Sequence, residues 1–143
     1  IAPDAAADRE VHEFTYAAFF WNGAFADSGL TREAYELNVR PVQHEGAAIV
    51  PEKSLVNIDQ PNIVLETLKA AEDGSKDLVV RLYESLRMSC RCTVTIAIPV
   101  KQAFVTDMLE NTEHEIEIGR NGEIELAFKP FEIKTVRLRA SGA

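Results

Sequence analysis

The sequence has 143 residues, 46% of them hydrophobic and 27% charged, which is enough for one globular domain with a real hydrophobic core. A formal net charge of −8 without any cluster of Lys or Arg argues against nucleic acid or an anionic membrane as a partner, and no apolar run approaches the roughly 20 residues of a membrane span. Because the chain starts with Ile1 and carries no signal segment, we expect a piece of a longer polypeptide.

The first distinctive stretch is HEFTYAAFFWNGAF, residues 12–25, which is unusually rich in aromatic residues. Its alternation predicts a strand in which Phe14, Tyr16 and Phe20 form one apolar face directed at the core. The other face begins with polar residues but becomes apolar at Phe19 and Trp21. A sandwich strand needs only one apolar face, so the end near Trp21 needs cover on both sides.

Three explanations for this apolar end remain open. The connection over residues 39–54 can fold over it, another domain can dock on it, or its rings can stack on a sugar. The candidate residues for contact with a carbohydrate or a domain are His12, Tyr16, Phe19, Trp21 and Phe25.

The next stretch, DSGLTREAYELN, is the only one with helical spacing, through Leu30, Ala34 and Leu37. It predicts a short helix with Thr31 as its N-cap. Residues 39–54 then show little periodicity and contain two prolines and a glycine, which favours a long connection between sheets.

Two further stretches predict strands. IVLETLKAAEDGSKDLVVRLYESL is typical of two strands around a polar loop at Asp73-Gly74. CRCTVTIAIPV alternates as a half-buried antiparallel strand that places Cys90 and Cys92 on its core side. We interpret both cysteines as reduced thiols of a cytoplasmic protein, because residues two apart in a strand are poorly placed to bridge each other. A zinc site is not expected, because no further Cys or His stands at a familiar zinc-ligand spacing.

The C-terminal third predicts a hairpin and a final strand. In HEIEIGRNGEIELAF, Asn121-Gly122 supplies a tight turn between two strands with inward apolar residues. Those inward residues are Ile116, Ile118, Ile124, Leu126 and Phe128. The following FEIKTVRL is predicted to bury Phe131 and Ile133 and then Val136 and Leu138, with a bulge near Lys134-Thr135. Pro130 is expected at a strand start, an edge or a bulge.

Together these patterns predict an all-β, antiparallel β-sandwich with at most one short helix, as a single domain over residues 1–143. The chain has no Gly-rich phosphate loop, no His-Glu-x-x-His and no Gly-x-Ser-x-Gly motif. Its histidines, His12, His44 and His114, are far apart in sequence. We therefore predict no catalytic residue and no metal site. The acidic residues expected on polar strand faces, where they keep a sheet soluble, are Glu115, Glu117, Glu123 and Glu125.

Three stretches in the same order resemble the C-terminal region of glycoside hydrolase family 38, the α-mannosidases, most strongly the bacterial and cytosolic-type members. They are ADREVHEFTYA…GLTREAYELN, IDQPNIVLETLKAAEDGSKDLVVRLYES and KPFEIKTVRL, and the resemblance runs from about Pro3 to Leu138. The chain departs from the family's HEFTYAL-PH pattern at Ala18, Phe20 and Trp21. The usual glycine after RLYE is also missing.

The resemblance implies a C-terminal β-sandwich of a multidomain, zinc-dependent retaining α-mannosidase. Zinc and the aspartate nucleophile are then expected in a separate catalytic domain, so this fragment alone should be inactive. The leading hypothesis is a non-catalytic domain that packs on that catalytic domain of the same polypeptide. The alternatives are a carbohydrate-binding module for mannosides that uses exposed aromatics, and an oligomerisation module that forms a homo-oligomer.

Overall fold

The structure, a computed structural model, describes residues 7, 9–42, 45 and 54–140. The chain divides into two compact units, Ile1–Pro41 and Val42–Ala143, and every strand of the described residues belongs to the second unit. The predicted connection over residues 39–54, including His44, lies largely outside the described residues. The assignment of residues 1–143 to one sandwich domain therefore stays a prediction.

The first unit contains the predicted short helix, α1, at Leu30–Asn38. The prediction of Thr31 as its N-cap is wrong, because Thr31 is already the second helical residue and Gly29 holds the N-cap position with φ 70°. The hydroxyl of Ser28 accepts a hydrogen bond from the Leu30 N–H at 3.1 Å and satisfies one of the free donors of the first turn. No helix in the described part of the chain is long and apolar enough to span a membrane.

The second unit is built from two antiparallel sheets, which confirms the all-β, antiparallel β-sandwich class. Among the described residues, α1 of the first unit is the only α-helix. Among the described residues the strands are β1 Val56–Ile58, β2 Ile63–Ala70, β3 Leu78–Glu84, β4 Cys90–Ile96, β5 Val100–Thr106, β6 Thr112–Ile116, β7 Glu123–Phe128 and β8 Ile133–Ala140. The smaller sheet has the order β1-β4-β7, and the larger has the order β2-β3-β8-β5-β6. All neighbouring strands are antiparallel.

The core lies between the inner faces of the two sheets. Leu82 and Leu138 of the larger sheet, and Ile124 of the smaller one, are at most 1% exposed and belong to one apolar cluster. Full burial of such a side chain stabilises the fold by about 1.5–3 kcal/mol. Truncation of Leu82 to alanine would add the energy of a cavity and cost about 2–5 kcal/mol.

The predicted strands around Asp73-Gly74 and the predicted cysteine strand are confirmed as β2, β3 and β4. Cys92 is buried and Cys90 half-buried against the core, and both are free thiols. Burial raises the pKa of the Cys92 thiol to about 11, so this thiol is protonated at neutral pH.

The hairpin predicted for residues 114–128 is wrong, because its two strands belong to different sheets. β6 pairs with β5, whereas β7 pairs with β4. Asn121 and Gly122 do adopt the expected left-handed conformation, with φ 66° and 77°, but they carry the chain from one sheet to the other. Alternation defines which face of a strand is buried and does not define its neighbour. The predicted inward residues are confirmed, since each is buried or packs on the core.

The prediction for FEIKTVRL is correct for its second half and wrong for its first. Val136 and Leu138 are 2% and 1% exposed, but Phe131 and Ile133 are 61% and 51% exposed. β8 pairs with β3 from Ile133 to Leu138 without a shift, so the predicted bulge is absent. Ile133 lies on the outer face of the sheet, and Phe131 lies with Pro130 in the turn before β8. No change of phase is therefore needed.

Candidate functional site

The aromatic segment, residues 12–25, does not form the predicted strand. Residues 11–22 have neither strand nor helix structure, and Phe14, Tyr16 and Phe20 are 81%, 85% and 90% exposed. Their assignment to the core is therefore wrong. A strand needs a neighbouring strand for its backbone groups, and the described part of the chain supplies none to this segment.

Its C-terminal end gathers three rings into an aromatic cluster, Phe19, Trp21 and Phe25. The rings of Phe19 and Trp21 are stacked with centroids 6.4 Å apart, and Phe25 meets Trp21 edge to face at 6.2 Å. Gly23, with φ 97°, allows the chain to turn between Trp21 and Phe25. Trp21 is still 46% exposed, so this apolar surface is available to a partner.

The other two predicted site residues are exposed. Tyr16 contacts the ring of Phe14, at 6.3 Å between centroids, and His12 lies in the same exposed stretch. The described residues contain no group of three or more His, Cys, Asp or Glu side chains that could hold a metal ion. The donor set that zinc requires is thus not provided by this part of the chain. The four glutamates expected on polar strand faces are exposed as predicted.

A buried carboxylate, Glu84, ends strand β3 and is only 1% exposed. It accepts hydrogen bonds from the side-chain amide of Asn62 at 3.0 Å and from the N–H groups of Leu86 at 2.7 Å and Phe131 at 2.9 Å. Burial raises the pKa of Glu84, but these hydrogen bonds outweigh it and hold the pKa below its usual value. Glu84 therefore fastens three loops to the sandwich, and its oxygens are directed at the protein itself.

A second charged group holds the other end of the larger sheet. Arg137 of β8 donates to Asp77 at 2.7 Å and to Asp73 at 2.5 Å. Hydrogen bonds from the Ser75 N–H and from Arg137 hold the pKa of Asp73 far below its usual range. Asp73 of the AEDG stretch and Arg137 of the TVRL stretch thus form an ion pair with each other.

The loop between β5 and β6 is an exposed apolar feature that the sequence patterns missed. Met108 and Leu109 are 58% and 82% exposed at its tip. The Asp107 carboxylate orders the loop by accepting hydrogen bonds from the N–H groups of Leu109 at 2.8 Å and Asn111 at 2.9 Å. The signal for this loop is an Asp and an Asn four residues apart between two strand patterns.

The sandwich also matches a known domain family. Residues 62–136 match the family described as the glycosyl hydrolases family 38 C-terminal beta sandwich domain. The chain belongs to this family. The matched residues include Asn62, Glu84 and Phe131, so the hydrogen bonds by which Glu84 fastens the loops lie inside the matched range.

Several relatives extend the similarity to nearly the whole chain. The chain is 34% identical to Alpha-mannosidase 2C1 of Homo sapiens and 33% identical to Alpha-mannosidase 2C1 of Mus musculus, each over 142 residues that cover 96% of this chain. It is 28% identical over 144 residues to Alpha-mannosidase G of Dictyostelium discoideum. The chain spans only 14% of the length of the human and mouse proteins.

Proposed function

We propose that this chain is a non-catalytic C-terminal domain of a zinc-dependent retaining α-mannosidase and packs against the catalytic domain of the same polypeptide. The parent enzyme removes terminal α-D-mannosyl residues in the cytoplasm. The observation that supports packing is the exposed aromatic cluster. The mannosidase relatives, of which this chain spans 14%, support the activity of the parent.

The carboxylates of the sandwich favour a structural role. Retaining glycosidases need two carboxyl groups about 5–5.5 Å apart on either side of the glycosidic bond. Glu84 is enclosed, and its oxygens are occupied by Asn62 and backbone N–H groups, so it cannot reach a sugar. In this proposal zinc is held by the catalytic domain, as the resemblance to the family implies.

The aromatic cluster favours a protein partner. Phe19, Trp21 and Phe25 are 38%, 46% and 52% exposed although they are adjacent to one another. Removal of apolar surface from water contributes about 25 cal/mol per Å² before the costs of association, and aromatic residues are enriched at interfaces. A catalytic domain that covers these rings would remove a contiguous apolar patch from water.

The test is hydrolysis of an aryl α-mannoside with added zinc. We expect no turnover by the pure 143-residue chain and chelator-sensitive turnover by its full-length polypeptide. Trp21→Ala in the full-length polypeptide should lower the thermal midpoint, whereas Leu55→Ala, at a residue 51% exposed outside the cluster, should not. Zinc-dependent turnover by the isolated chain would contradict the proposal.

The stacked, exposed pair Phe19 and Trp21 also supports a second candidate, a carbohydrate-binding module. Aromatic faces of this kind can stack on the apolar face of a sugar ring. Titration of the chain with mannose or mannobiose in a calorimeter should then give binding heat that Trp21→Ala abolishes. No heat and no change in Trp fluorescence would count against this candidate.

A further inference from the structure

The aromatic segment has ring contacts that fit an extended chain, although the described residues contain no strand that pairs with it. The rings of Phe14 and Tyr16 are 6.3 Å apart, and those of Phe19 and Trp21 are 6.4 Å apart. Both pairs are two residues apart in sequence. Such residues point to the same side in an extended chain and to nearly opposite sides in a helix. These ring contacts therefore favour an extended backbone at both ends of residues 12–21.

The composition of residues 12–21 also favours a strand. Phe, Tyr, Trp and Thr, which are enriched in strands, make up most of the stretch, and it contains neither Gly nor Pro. Its ten residues are within the usual length of a strand. Among the described residues, however, no neighbouring strand offers hydrogen-bond partners to the backbone N–H and C=O groups of this exposed segment.

We propose that residues 12–21 form a β-strand in a sheet whose neighbouring strands belong to the remainder of the same polypeptide. This inference rests on the proposed function and specifies how the domain is joined to the rest of the enzyme. The human and mouse relatives are aligned over 96% of this chain, which leaves too few residues unaligned to omit residues 12–21. Because the chain spans only 14% of those relatives, most of each relative lies outside it and can supply the strands.

The two faces of the strand define its orientation in that sheet. Near its start, Glu13 and Thr15 make one face polar, so water can cover that face. Near its end, Phe19 and Trp21 on one face and Phe20 on the other are all apolar. The Trp21 end is therefore buried on both faces, whereas the His12 end lies nearer the surface.

Hydrogen–deuterium exchange followed by mass spectrometry tests the strand directly. In the isolated 143-residue chain, the amides of residues 13–21 should exchange at close to the rate of an unstructured peptide. In the full-length polypeptide we expect at least about 100-fold slower exchange over the same residues. Rapid exchange in the full-length polypeptide would overturn the proposal.

A proline pair supplies a matched control. Thr15→Pro removes a backbone donor from the middle of the strand and should abolish the slow exchange of residues 13–21 in the full-length polypeptide. Glu10→Pro, just before the strand, should leave it unchanged. Equally slow exchange of residues 13–21 in the parent, Thr15→Pro and Glu10→Pro full-length polypeptides would overturn the proposal.

Two other outcomes identify a different partner for the strand. Slow exchange in the isolated chain would overturn the proposal, since the strand would then pair within the chain or with a second copy. Light scattering separates these cases, because a second copy doubles the mass. The exchange measurement does not depend on mannosidase turnover. Slow exchange in an inactive full-length polypeptide would therefore reject the proposed activity and retain the strand. Rapid exchange in an active full-length polypeptide would reject the strand and retain the activity.

Discussion

At the scale of single residues, the sandwich depends on polar groups that are buried with complete sets of partners. Glu84 connects the Asn62 side chain and two backbone N–H groups at one end of the larger sheet. One of those donors belongs to Phe131, a non-glycine residue with φ 58°. The carboxylate thus stabilises a turn that a bulky side chain adopts only at an energetic cost.

Glu84→Gln tests this role while it preserves the size of the side chain. The amide NH₂ would face a backbone N–H and leave a buried donor without a partner, so the free energy of unfolding should fall by about 2 kcal/mol. Urea denaturation measures the change. Glu125→Gln, on an exposed strand face, is the control and should stay within about 0.5 kcal/mol of the parent. A Glu84→Gln protein as stable as its control would refute the role.

At the scale of elements, periodicity predicted which residues of the strands are buried but did not predict the pairing. The alternation of Ile124, Leu126 and Phe128 is the same whether β7 pairs with β6 or with β4. The turn at Asn121-Gly122 suits a hairpin, yet its left-handed residues serve equally well in a crossing between sheets. Pairing depends on contacts between residues distant in sequence, and a local pattern does not contain them.

The same limit explains the errors at exposed apolar residues. Ile133 and Val136 are three residues apart, so both can be buried only if a bulge changes the buried face between them. The sequence therefore suggested a bulge, whereas in the structure the strand is regular and Ile133 is exposed. The pattern at Phe14 and Tyr16 predicted an apolar face but contained no information about what covers it. The aromatic cluster was found because Phe19 and Trp21 made the second face of the segment apolar as well.

Two glycines with the same backbone conformation allow the energetic cost of a left-handed backbone to be measured separately from the cost of a steric clash. Gly74 and Gly122 have φ 75° and 77°, but an added Cβ meets nothing within 4 Å at Gly74 and lies 2.5 Å from the Ile96 carbonyl oxygen at Gly122. Gly74→Ala should cost about 1 kcal/mol from the left-handed backbone alone. Gly122→Ala should cost about 2–4 kcal/mol, because the crossing between sheets must also shift. If urea denaturation gave equal losses of unfolding free energy for the two variants, the close approach of Gly122 to Ile96 would be contradicted.

At the scale of the whole molecule, acidic residues make the fold sensitive to low pH. The pKa values of Asp73, Glu84 and Glu110 all lie below their ordinary values, which are 3.8 for Asp and 4.5 for Glu. For Asp73 the leading cause is the Ser75 N–H, and for Glu110 it is the hydrogen bond from Lys69. For Glu84, burial is the largest single cause and raises the pKa. The hydrogen bonds, of which that from the Phe131 N–H is the largest, together outweigh burial and lower the pKa below 4.5.

Since the folded-state pKa values are lower than the unfolded ones, these groups stabilise the fold above about pH 4.5. That stabilisation is lost as the pH falls through the folded-state values. The urea midpoint should therefore be constant near neutral pH and fall steadily below pH 4.5. Glu84→Gln should reduce the size of this fall. A urea midpoint unchanged between pH 7 and pH 3 would contradict the stabilising role of these three carboxylates.

The described residues combine an ordered sandwich, in which buried polar groups fasten the loops, with an aromatic segment whose rings are exposed. Among the described residues neither part offers a zinc site. In the function we propose, the chain is a domain that completes a larger enzyme. Its contribution should therefore be visible only when the rest of the polypeptide is present.

The measurement that tests this most directly is hydrolysis of an aryl α-mannoside by the remainder of the polypeptide, with and without residues 1–143 supplied as a separate chain. We predict little turnover by either piece alone, zinc-dependent turnover by the mixture, and weaker restoration by the Trp21→Ala chain. Turnover by the isolated chain, or full turnover by the remainder without it, would contradict the account.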